Sequence, residues 1–116
     1  MRVRFYIGGY PGPFYNVESD GPALVYTSSE HGTATERRIA PTAEEWAAFG
    51  RALDAAGVWK WAADYPDPGV CDGTQWELEL SDGSRELRTG GSNNTPKRFG
   101  AFVKALRKLL GGVALE

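Results

Sequence analysis

The sequence predicts an α+β domain in which an antiparallel meander sheet carries two amphipathic helices on one face, in the order β-β-β-β-α-β-β-α. Three patterns point to it. Val3, Phe5 and Ile7, and later Trp76, Leu78 and Leu80, alternate with polar residues at the period of two that gives a strand one apolar face. Asp20-Gly21 and Asp82-Gly83 supply turn conformations that join antiparallel neighbours. Trp46, Phe49 and Leu53, then Phe99, Phe102, Val103, Leu106, Leu109 and Leu110, recur at helical spacing. Two such stripes need the apolar side of a sheet to lie on.

Length and composition bound the rest. A chain of 116 residues with 41% hydrophobic and 24% charged residues fits one folded domain with a single core, placed over residues 1–114. Leu115-Glu116 resembles an expression-vector junction and is left out of that expectation. The net charge of -2 supplies no basic excess to neutralise phosphates, which argues against nucleic acid as a partner. Cys71 is the single cysteine and cannot form an internal disulfide, so a reducing, cytoplasmic compartment is expected. No apolar run approaches the length of a membrane span, and residues 1–7 lack the core of a signal peptide, so no membrane partner is expected.

Taken in order, the first strand runs into Gly8-Gly9-Tyr10-Pro11-Gly12-Pro13, where glycines and prolines interrupt a ladder. Phe14 to Glu18 and Ala23 to Ser28 pair across Ser19-Asp20-Gly21-Pro22, and Thr33 to Ile39 follows the Glu30-His31-Gly32 turn. Thr, Glu and Arg dominate that last segment, which reads as an edge strand with solvated side chains. Thr42 caps the first helix and Glu45, three positions on, completes a capping box; Gly57 ends the helix.

The stretch from Trp59 to Phe99 holds three of the four tryptophans. Ala62 to Gly73 contains Pro66 and Pro68 and reads as a long ordered loop. A two-residue turn at Asp82-Gly83 places Leu78 opposite Leu87, Glu77 opposite Arg88 and, unfavourably, Glu79 opposite Glu86. Thr95 is expected to cap the last helix with Pro96 at its first position, after Asn93 or Asn94 takes a left-handed conformation. Lys97, Arg98, Lys104, Arg107 and Lys108 give that helix positive charges and no negative ones, a pattern most often belonging to a solvated face.

The inventory of reactive groups is thin. Cys71 with His31 would make a nucleophile and base without a third, orienting group, and a small hydrolase built on them is the enzymatic alternative. One His and one Cys do not build a zinc site, and Asp64, Asp67 and Asp72 lack calcium-loop spacing, so neither metal nor cofactor is expected. Gly90 to Arg98 resembles an anion-binding turn but lacks the Gly-Lys-Ser/Thr ending of a P-loop. Trp46 and Trp76 fit apolar stripes and read as core. Trp59 and Trp61, two apart, share one side of an extended segment, facing either the sheet or a partner. The chain is therefore read as a non-catalytic protein-binding module, with Trp59, Trp61, Tyr65, Asp72, Asn93 and Asn94 as candidate contacts to another protein.

Trp61, Tyr65, Asp72-Gly73-Thr74-Gln75-Trp76, Gly91, Asn93 or Asn94, Pro96 and Phe99, leading into an amphipathic helix, resemble a group of small bacterial proteins of unknown function over roughly the second half of the chain. More distantly, Gly8-Gly9-Tyr10-Pro11-Gly12, the central helix, the Asp72 to Leu80 strand and the closing helix resemble the emfourin family. That resemblance implies an inhibitor of thermolysin-like metalloproteases, with no inhibitory residue carried over.

Overall fold

The alternation at the amino end becomes β1 (Arg2–Gly8), in which Val3, Phe5 and Ile7 are buried while Arg2 and Arg4 are exposed. A computed structural model describes residues 1–9, 12–30, 32–69 and 73–115. From β1 the chain meanders outward through β2 (Phe14–Asp20), β3 (Ala23–Glu30) and β4 (Thr33–Ile39). Helix α1 (Ala43–Ala55) and a short 3₁₀ turn (Val58–Lys60) then return it to the free edge of β1, where β5 (Gln75–Ser81) and β6 (Glu86–Ser92) add before α2 (Phe99–Leu109). The sheet is antiparallel with the order β4-β3-β2-β1-β5-β6, so the first strand is an inner one and the expected α+β arrangement is observed.

One face of the sheet is apolar because every strand from β1 to β3, and β5, points its alternate hydrophobic residues the same way. Phe5, Val17, Leu24, Trp76 and Leu78 join Phe49 and Leu53 of α1 and Phe102 and Leu106 of α2 in one buried cluster. Each such side chain contributes on the order of 1.5–3 kcal/mol on burial. Phe5 and Phe102 meet edge to face at 5.3 Å. The Thr42–Glu45 capping box forms with both hydrogen bonds, Glu45 N–H to Thr42 Oγ1 at 3.1 Å and Thr42 N–H to Glu45 Oε1 at 2.9 Å.

Four details differ from the sequence expectation. The β5–β6 connection spans residues 82–85, because the Asp82 carboxylate accepts from the Ser84 and Arg85 N–H groups at 2.9 and 2.7 Å and builds a longer turn. The register therefore shifts: Glu79 meets Arg88 at 2.6 Å, Leu80 meets Leu87, and the Glu79–Glu86 repulsion is never created. Helix α2 begins at Phe99 and not at Pro96. Arg98 turns into the left-handed region at φ 65° and donates to the Ala55 carbonyl at the end of α1 at 2.9 Å, so the residues before it cannot continue the helix.

Trp59 lies in the 3₁₀ turn that follows left-handed Gly57, so Trp59 and Trp61 do not share one side of an extended segment. Finally, Leu115 is fully buried in the core, and the neighbouring Ala114 carbonyl accepts from the Tyr26 hydroxyl at 2.6 Å. The expectation that set Leu115 aside is replaced by a fold that packs it.

Candidate functional site

The long loop after Trp61 is fastened along its length to the end of the β5–β6 hairpin. Tyr65 forms a one-residue parallel bridge with Gly91: its N–H donates to the Gly90 carbonyl at 2.8 Å, and its carbonyl accepts from Ser92 N–H at 3.0 Å. Upstream, the Thr89 hydroxyl donates to the Ala62 carbonyl at 2.6 Å, and Ala62 N–H donates to the Tyr65 hydroxyl at 2.9 Å. The Gly90–Ser92 end of the outer edge of β6 is thus bridged by Tyr65, which satisfies the Gly90 carbonyl and the Ser92 N–H.

Beyond the bridge, two asparagines hold both limbs of the loop. Asn93 adopts the left-handed conformation at φ 52°, within the choice the sequence left open. Its Oδ1 accepts from Thr74 N–H at 2.9 Å, its backbone N–H donates to the Thr74 carbonyl at 2.8 Å, and its Nδ2 donates to Asp67 at 3.1 Å. Asn94 Nδ2 donates to the Pro66 carbonyl at 3.2 Å, and the Asn94 carbonyl accepts from the buried Trp76 indole N–H at 2.8 Å. Gly91 is required by this closeness. A methyl group there would lie 2.5 Å from the Asn94 oxygen, 2.6 Å from Trp76 Nε1 and 2.9 Å from the Tyr65 oxygen.

Trp61 packs into the aromatic core beside this hinge, 6.2 Å from Trp76, 6.1 Å from Phe99 and 5.7 Å from Phe102 between ring centroids. Trp59 lies under the Arg85 guanidinium, whose carbon sits 4.5 Å from the ring centroid. Arg85 is itself held by Asp82 at 2.8 Å and Asp54 of α1 at 3.1 Å, which raises its pKa, mainly through the Asp82 hydrogen bond. The Ser84 and Arg85 backbone donors hold the Asp82 carboxyl well below the usual carboxylate range.

Of the six residues proposed from sequence as partner contacts, Trp61, Tyr65, Asn93 and Asn94 therefore meet in one internal joint, and Trp59 belongs to a separate clasp between α1 and the β5–β6 turn. Asp72, like Cys71 and His31 of the hydrolase alternative, lies outside the described residues. Among the described residues the one exposed large hydrophobic side chain is Met1; Trp46, Trp59 and Trp61 are half-buried against the core and Trp76 is buried. Nor does the anion-like turn at residues 90–98 present a row of free donors, since the Ser92 and Asn93 N–H groups bond inward. No group of three or more potential metal-ligating side chains occurs among the described residues.

What remains open is the other side of the molecule. The sheet face opposite the helices carries Arg4, bonded to Glu79 at 3.4 Å, and Arg88, bonded to the same carboxylate, around a shallow depression of ≈ 680 Å³ that also includes Tyr6 and Glu77. At the far edge every residue of β4 from Thr33 to Arg38 is exposed, and only Ile39 is half-buried. The edge position was legible from the polar composition of β4. The Tyr65 bridge at the opposite edge was not, because a one-residue bridge leaves no periodic pattern.

No protein-family model matches the sequence, and no curated protein matches it. No helix among the described residues is long and apolar enough to cross a membrane.

Proposed function

We propose that this chain is a non-catalytic protein-binding module that engages its partner along the β4 side of the sheet. The observation that carries the reading is the inequality of the two edges: β6 is bridged by Tyr65 at its Gly90–Ser92 end, whereas β4 is exposed from Thr33 to Arg38 and has no strand on its outer side among the described residues. Edge strands left open in this way are sites where another chain adds. The aromatic residues first suggested as contacts instead hold the loop and helix layer at the β5–β6 end of the sheet.

Photo-crosslinking tests this. A photoreactive residue in place of Thr35 should capture a defined protein from cells that make the chain, and one in place of Lys104 should not. Capture from position 104 alone would remove the β4 side as the contact. A folded Trp59→Ala/Trp61→Ala variant that still captures the same protein would exclude those tryptophans as the anchor.

The emfourin resemblance supports a second reading, inhibition of a thermolysin-like metalloprotease, and the same observation favours it because an open extended strand is a form of backbone that a binding cleft can pair with. Titration of such a protease with the chain tests it; full activity at excess chain would end it.

A further inference from the structure

We infer that the occupant of the β4 edge is an extended segment of a different protein, running antiparallel, that carries an acidic residue opposite Arg37 and a basic residue opposite Glu36. This deepens the protein-binding reading and rests on it. Glu36 and Arg37 are exposed, lie on opposite faces of β4, and neither has an ion-pair partner among the described residues, whereas Arg38 is held by Asp20 at 2.7 Å. A neighbouring strand supplies both missing partners at once, because residues directly opposite one another share a face and sit within reach of a cross-strand ion pair.

The same two charges argue against a second copy of this chain. A twofold axis that continues the sheet pairs residues of the same face, so antiparallel β4 strands overlapping over residues 33–39 would set Glu36 against Glu36. Slipped two residues one way, the pairing sets Arg37 against Arg37; slipped the other way, it avoids both contacts but joins only residues 33–37. Like charges directly opposite are a common device for keeping edges from pairing with themselves. A foreign strand with opposite charges facing Glu36 and Arg37 meets no such penalty. In antiparallel alignment its acidic residue precedes its basic one.

The probe is a capped seven-residue peptide of Thr and Val with Asp-Lys at its centre, added to the folded protein and followed by amide chemical shifts and hydrogen exchange. Shifts confined to β3 and β4, and slowed exchange at the β4 amides that point away from β3, are expected. Arg37→Glu should weaken binding about tenfold. The Glu36→Lys/Arg37→Glu variant should prefer the Lys-Asp peptide instead. No shift at millimolar peptide, shifts elsewhere, or binding indifferent to Arg37→Glu would overturn the inference. A partner crosslinked at another surface in that event would leave the protein-binding reading standing without strand addition.

Discussion

Tyr65 bridges to Gly91 in parallel, giving its N–H to Gly90 and accepting from Ser92, and so covers the Gly90–Ser92 end of the β6 edge with a single residue. Around this contact the densest run of recognisable residues becomes a joint that holds a loop, and the proposed recognition surface is the opposite edge of the sheet. The consequences are measurable residue by residue.

Gly91→Ala should destabilise the fold by about 2 kcal/mol or more, because the new methyl group meets both ends of the Trp76–Asn94 hydrogen bond and the Tyr65 carbonyl oxygen held by Ser92. Urea denaturation measures this. A loss within error of zero would mean that the joint is loose.

Asn93 separates backbone conformation from side-chain bonding. Asn93→Gly keeps the left-handed backbone and its N–H bond to the Thr74 carbonyl but loses the side-chain bonds to Thr74 N–H and Asp67, and should lower stability by about 1 kcal/mol. Asn93→Ala should lose about 1 kcal/mol beyond that, since alanine resists a positive φ. Equal losses in the two variants would contradict the conformational part.

Leu115→Ala should destabilise by about 2 kcal/mol or more, as expected for truncating a fully buried leucine. An unchanged urea midpoint would show that the closing residues lie off the core.

Acid exposes the turn at Asp82. Its carboxyl titrates below its ordinary value of 3.8 in the folded chain, so the stability it contributes is present above that pH and is lost as the pH falls through the lower, folded value. The stability gap between the native chain and Asp82→Ala should therefore be full at neutral pH, begin to shrink below about pH 4 and close in stronger acid. A gap that stays constant down to acid unfolding would contradict the turn geometry. The Arg85→Ala variant should also shift tryptophan emission, and the shift should disappear in a Trp59→Phe background.

Much of the fold could be read from the sequence because it rests on local chemistry. Val3-Phe5-Ile7 fixes a strand face by alternation, and Thr42 and Glu45 fix a helix start by reciprocal bonds. The β5–β6 register was harder, since it depends on how many residues Asp82 gathers into its turn, and the start of α2 depends on Arg98 finding a carbonyl of α1 some forty residues away. The aromatic stretch was conspicuous for a reason that composition does not reveal. Trp61, Tyr65 and Asn94 converge on Trp76 and Asn93 ties Thr74 to Asp67, and residue types alone do not distinguish such internal contacts from contacts with a partner.

Native-state hydrogen exchange of the unbound protein tests the inequality of the two edges most directly. The Tyr65 and Ser92 amides, which bridge the Gly90–Ser92 end of β6, should exchange only in the larger openings that release the hairpin, while the β4 amides pointing away from β3 exchange at nearly the rate of unstructured chain. Fast exchange at Tyr65 and Ser92, or protection at every amide of β4, would contradict it.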